Sequence, residues 1–74
     1  MKRYLLFVLE DEYYYGGLQD FKEDFENELS AINKGLSGMN NGYWREFQVF
    51  DSEKRVNNVY SINQKKIINW SEKI

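Results

Sequence analysis

Residues 18–36 read Leu-Gln-Asp-Phe-Lys-Glu-Asp-Phe-Glu-Asn-Glu-Leu-Ser-Ala-Ile-Asn-Lys-Gly-Leu, and how they fold decides the architecture. Leu18, Phe21, Phe25, Leu29, Ile32 and Leu36 recur at spacings of 3, 4, 4, 3 and 4. That is the apolar stripe of an amphipathic helix with one buried face. Asp20, with Glu23 three residues later, forms a capping-box-like start. Lys34-Gly35 supplies a C-terminal signal. The spacing predicts a helix over 19–34. A second reading starts the helix at Asn27, with Glu28 in its first turn and residues 16–26 as an ordered loop.

Toward the N-terminus, residues 3–10 (Arg-Tyr-Leu-Leu-Phe-Val-Leu-Glu) read as a strand. Tyr4, Leu6 and Val8 fall on one face, and Leu5, Phe7 and Leu9 on the other. Both sets are apolar, so the strand is expected at the centre of a sheet, covered on both sides. Asp11 to Gly17, with paired glycines, reads as a loop. Toward the C-terminus, residues 37–42 read as a loop and Tyr43 to Phe50 as a second strand. Asp51-Ser52-Glu53-Lys54 is a polar turn. Arg55 to Ile62 is a third strand, with Val56, Tyr60 and Ile62 on one face of an antiparallel hairpin. The tail, Lys65 to Ile74, carries Ile67, Ile68, Trp70 and Ile74. It is expected as a short helix or as a strand covering the second face of the first strand. The fold class expected is α+β: one domain over 1–74, with a small antiparallel or mixed three-stranded sheet in the order β-α-β-β. One amphipathic helix packs on that sheet, and a short C-terminal segment follows.

Seventy-four residues leave a small core, and domains of this size usually need disulfides, metals, partners or large core side chains. The chain has no Cys and no His. Disulfides, thiolate nucleophiles, Cys-ligated zinc, histidine bases and imidazole metal sites are thereby excluded. Thirteen aromatic residues (five Phe, six Tyr and two Trp) are the available substitute. Asn, Lys, Ile, Tyr and Phe make up 31 of the 74 residues, with one Ala and no Pro. Those five use AT-rich codons, which points to a low-GC source such as a Gram-positive bacterium or its phage. Met1-Lys2-Arg3 and the apolar run that follows start like a signal peptide. The run is too short for its hydrophobic region, and Glu10-Asp11-Glu12 stand where small residues belong. No stretch reaches the length of a membrane span. The expected location is cytoplasmic.

The net charge of −2 conceals an asymmetry. Residues 10–28 hold eight acids (Glu10, Asp11, Glu12, Asp20, Glu23, Asp24, Glu26 and Glu28) against Lys22, a net of −7. The rest of the chain nets +5. One reading is a solvated loop and helix face, with acids where a helix dipole favours them. The other is an acidic patch aimed at a basic surface on a partner protein. Tyr13-Tyr14-Tyr15 adds to the second reading. Three consecutive rings on a loop do not all face one core, and Tyr is enriched at binding surfaces. The bland reading folds one or two of them back over the core.

The basic C-terminal half (Arg45, Lys54, Arg55, Lys65, Lys66 and Lys73), with Tyr43, Trp44 and Tyr60, suggests single-stranded nucleic-acid binding by an aromatic hairpin over 43–62. The negative net charge argues against it, and core packing accounts for the aromatics better. Glu10-Asp11-Glu12 invites a metal or catalytic reading. No EF-hand spacing follows, and a cleft for a carboxylate pair is hard to enclose in 74 residues. No catalytic residue, metal or cofactor is expected.

Tyr4-Leu5-Leu6-Phe7, then Tyr13-Tyr14, Gly16-Gly17 and Asp20-Phe21, resembles a pattern in small uncharacterised proteins of phages, prophages and bacteria. Their Trp-containing strand ends in Val-x-Asp, which Trp44 to Asp51 matches with Phe50 before Asp51. Those proteins usually carry a Pro in the Tyr-Tyr-Gly loop, and this chain has none. The resemblance implies a mobile-element origin and transfers no activity. Together these readings predict a non-enzymatic protein-interaction module, expected to bind and inhibit a host nuclease or defence protein that presents a basic surface. Its surface is Glu10, Asp11, Glu12, Tyr13, Tyr14, Tyr15, Asp20, Glu23 and Asp24. A homodimer is a further expectation, because a small aromatic-rich domain gains by burying apolar surface on its own copy.

Overall fold

Among the described residues, five strands and one helix form in the order β1 (Tyr4–Leu9), β2 (Phe21–Phe25), α1 (Glu28–Asn40), β3 (Glu46–Asp51), β4 (Val56–Asn63) and β5 (Lys66–Lys73). They are seen in a computed structural model that describes residues 2–9, 21–63 and 66–73. The strands make one antiparallel sheet in the order β2-β1-β3-β4-β5. The α+β class holds, but the sheet has five strands where three were expected. The two additional strands come from the segment read as the helix start and from the tail.

The helix begins at the second of the two starts considered. Asn27 is the N-cap: its backbone is extended (φ −122°, ψ 130°), and its side-chain oxygen accepts from the Ser30 N–H at 3.2 Å. Glu28 then places a carboxylate at the positive end of the helix. The expected start at residue 19 fails because Phe21 and Phe25 belong to β2. Their spacing of four suits a helical stripe and a strand alike. The register shift between Leu6 and Phe7 turns the two rings to different tasks. Phe25 lies opposite Tyr4 and packs against the core. Phe21 lies opposite Phe7, with ring centroids 5.8 Å apart and planes at 64°, an edge-to-face contact.

The expected C-terminal end at Lys34-Gly35 fails for a different reason. Ala31, Gly35, Gly38 and Met39 form the buried stripe of α1. The glycines sit mid-helix because aromatic rings occupy the space of their missing side chains. A Cβ on Gly35 would collide with the Phe47 ring, and one on Gly38 with the Trp44 indole. The chain therefore stays helical to Asn40 through the stretch read as a loop. It turns at Gly42, whose φ of 77° belongs to the left-handed region.

Tyr4, Leu6 and Val8 of β1 and Phe47 and Val49 of β3 line the sheet face beneath α1. Leu6, Phe47 and Val49 are fully buried there, with Ala31, Met39 and Trp44 above them. Tyr60 of β4 stacks on Phe47 at 4.6 Å with planes 7° apart. Leu5, Phe7 and Leu9 are half-buried on the opposite face. β1 does sit inside the sheet, but no described element lies across that second face. The tail does not cover it either, since residues 66–73 extend the sheet by pairing with β4. No helix among the described residues is long and apolar enough to cross a membrane.

Candidate functional site

Of the nine residues expected at the interaction surface, Glu10, Asp11, Glu12, Tyr13, Tyr14, Tyr15 and Asp20 lie outside the described residues. Glu23 and Asp24 are on β2, an edge strand of the sheet. Glu23 is exposed. Asp24 accepts the Lys2 main-chain N–H at 2.7 Å. That hydrogen bond, with the nearby positive charge of Lys2, holds its carboxyl below the usual carboxylate range. Asp24 is thus engaged in tying the N-terminal end of β1 to β2. Glu26 and Glu28 follow on the exposed corner between β2 and α1. The ion pairs among the described residues join Arg3 to Asp51 and to Glu53, so Glu23, Glu26 and Glu28 are not neutralised there. Lys22 is the cation in this stretch. Its Nζ lies 5.6 Å from the centroid of the Trp44 ring, a cation–π contact at the margin of the core.

The aromatics of 43–62 divide between core and surface. Trp44 and Phe47 are buried, and Tyr60 is half-buried in its stack on Phe47. Phe50 is half-buried on the face away from α1, and Tyr43 is 68% exposed. Among the described residues, no three carboxylates converge in a way that would hold a metal ion.

The turn after β3 contains a charged cluster that composition and charge did not single out. Asp51 is buried, and its carboxylate receives Arg3 in fork geometry, Nε to Oδ1 at 2.8 Å and Nη2 to Oδ2 at 2.9 Å. Oδ1 also accepts the N–H groups of Glu53 and Lys54, at 3.0 and 3.1 Å. The Arg3 hydrogen bond, ahead of those two, holds the Asp51 carboxyl down to about 2. Asp51 raises the Arg3 guanidinium in turn. Arg3 also reaches Glu53 at 3.2 Å, and its carbonyl accepts both the N–H and the hydroxyl of Ser52. The Asp-Ser-Glu-Lys segment was visible in the sequence as a polar turn. Its partner, 48 residues earlier, was not. This cluster locks the start of β1 to the β3–β4 turn. The Asp51 carboxylate accepts four N–H groups in doing so.

The described residues form a small α+β fold: one short helix over a five-stranded antiparallel sheet with two unlike edges. No protein-family model matches the chain, and no curated protein or solved structure matches it.

Proposed function

We propose that the chain is a small non-enzymatic protein-binding module, a mobile-element product that occupies a basic surface on a host protein such as a nuclease or defence factor. The observation that supports this reading is the β2–α1 corner, where Glu23, Glu26 and Glu28 are exposed and lack a counter-ion among the described residues. Charge left uncompensated among the described residues favours association with a cationic partner. The residues 10–15 and Asp20 extend the same negative stretch along the chain. Binding of single-stranded nucleic acid has less support, because, of the rings it would use, Trp44 is buried and Tyr60 is half-buried in its stack on Phe47, leaving Tyr43 exposed.

The test is a tagged pull-down from a low-GC Gram-positive lysate, read by mass spectrometry. Wild type runs beside a Glu23→Lys/Glu26→Lys/Glu28→Lys variant and a Tyr13→Ser/Tyr14→Ser/Tyr15→Ser variant. One basic protein recovered by wild type, lost from both variants and weakened by salt is the expected result. Capture that survives both variants and high salt places the binding surface elsewhere.

A further inference from the structure

The other edge of the sheet carries an inference independent of the acidic corner. Among the described residues β5 is an eight-residue edge strand, exposed at every position, with no Pro and with lysines only at its two ends. Edges of this kind offer unpaired main-chain groups to another strand, and proteins usually blunt them with mid-strand charge, Pro or bulges. β5 carries Ile67 (47% exposed), Ile68 (40%) and Trp70 (41%) instead.

The hydrogen-bond phase of the sheet determines which groups face outward. Ser52 N–H bonds to the Arg3 carbonyl, and Ile62 N–H to the Arg45 carbonyl. In an antiparallel ladder the two main-chain groups of a residue point to the same neighbour, and the direction alternates along the strand. Carried through the registers, this sends Asn57, Val59 and Ser61 of β4 toward β5. It leaves the N–H and C=O of Ile67, Asn69 and Ser71 directed at the open edge. Only registers that oppose these residues with one another can close new bonds.

One such register makes β5 complementary to its own copy. With Asn69 opposite Asn69, Ile67 falls opposite Ser71, Lys66 opposite Glu72, and Ile68 opposite Trp70. Lys66, Ile68, Trp70 and Glu72 share the sheet face away from α1, the face that also carries Val59 opposite Trp70. Two Lys–Glu pairs therefore flank two Ile–Trp pairs on one continuous face, and both kinds of cross-strand pair stabilise a sheet. Sliding by two residues puts Glu72 opposite Ile68, or Lys66 opposite Trp70, and the charge match is lost. We propose that β5 pairs antiparallel with β5 of a second copy, centred on Asn69, to give a two-fold ten-stranded sheet that keeps both β2 edges at its far ends.

Sedimentation equilibrium of the full chain is expected to show a monomer–dimer equilibrium. Glu72→Lys replaces two attractions by two repulsions and is expected to weaken the dimer about tenfold. Lys66→Glu combined with Glu72→Lys restores the opposition and returns the constant to within about twofold of wild type. The chain has no cysteine, so introduced thiols report the register directly. Asn69→Cys is expected to form a disulfide-linked dimer alone, since opposed Cα atoms lie about 5.5 Å apart. Ile68→Cys is expected to cross-link only when mixed with Trp70→Cys. A chain that stays monomeric at its highest soluble concentration overturns the proposal. So does a dimer that resists Glu72→Lys, or one that Ile68→Cys cross-links by itself. If circular dichroism shows Glu72→Lys unfolded, the cysteine variants decide.

Discussion

The indole N–H of Trp44 donates a 2.9 Å hydrogen bond to the main-chain carbonyl of Gly35, in the middle of α1. An indole can reach that carbonyl only because the helix presents glycines to the sheet. Gly38 lies under the same ring and Gly35 under Phe47. The small residues let α1 approach closely enough for two aromatic rings to supply the core volume that the helix does not. Gly38→Ala should gain up to about 1 kcal/mol in helix propensity and lose more to overpacking, for a net loss of about 1–2 kcal/mol. Gly35→Ala should behave alike. Asn33→Ala, on the exposed side of the same helix, should be neutral or stabilising. Urea midpoints of the three variants check this, and a stabilised Gly38→Ala would refute the close approach.

Asn27 is the cap on which the helix start depends. Asn27→Ala removes the acceptor for the Ser30 N–H and should cost about 1 kcal/mol. Asn27→Asp keeps the acceptor and adds charge at the helix N-terminus, so it should be neutral or mildly stabilising. Chemical denaturation of the pair separates a cap at Asn27 from a helix that begins further upstream. In the latter case both changes would fall in a helix interior, and Ala would then rank above Asp.

How much of this was legible in the chain varies from one element to the next. β1 was legible because its six apolar residues exceed what one sheet face can use, which places it inside the sheet. The β3–β4 hairpin was legible from its polar turn. The helix was legible in kind but displaced, and the cause is arithmetic. Phe21 and Phe25, four apart, satisfy a period of 3.6 and a period of 2 equally well. What separates the two is the cap at Asn27 and the pairing of residues 21–25 with β1, and the second is a long-range fact. Gly35 looked like a terminator and Gly38 like part of a loop, because local propensity does not register that Phe47 and Trp44 need the room. Two residues of the candidate surface, Glu23 and Asp24, are placed by the structure, and Asp24 is committed to Lys2. The Arg3–Asp51 lock was beyond reach for the same reason as β2: its partners meet only once β1 and β3 pair.

That lock makes a prediction about acid. The Asp51 carboxyl is held at about 2 against an ordinary 3.8, mainly by its Arg3 hydrogen bonds. A folded-state value below the unfolded one stabilises the fold above the unfolded value, and the contribution fades as pH falls from about 3.8 toward about 2. Asp51→Asn keeps the shape, loses the charge and leaves Arg3 with a weaker partner. It should cost about 1–3 kcal/mol at neutral pH. Its stability should also fall less steeply than that of wild type between pH 5 and pH 2. Urea midpoints across that range are the measurement. Parallel acid limbs in the two proteins would assign the loss to other carboxylates, of which Asp24 is shifted in the same direction.

Tyr60 makes the corresponding prediction at high pH. Its ring stacks on Phe47, and burial raises the phenol above its ordinary 10, with the negative charge of Glu28 adding to the effect. Here the neutral form is the one the fold favours. Stability from this group is complete below pH 10 and is lost as pH rises through and beyond it, because the unfolded phenol ionises first. Tyr60→Phe preserves the stack and deletes the ionisation. Near pH 8 the variant should lie within about 0.5 kcal/mol of wild type, provided the hydroxyl has no buried partner to abandon. Above pH 10 the two curves should separate, with the variant declining less. Denaturation at pH 8 and at about 10.5 reads both regions. A variant that declines in step with wild type would mean that the alkaline loss comes from other groups and that the Tyr60 hydroxyl reaches solvent. A variant already weaker at pH 8 would mean instead that the hydroxyl holds a partner in the fold, so the two arms of one experiment separate its electrostatic role from its hydrogen-bonding role.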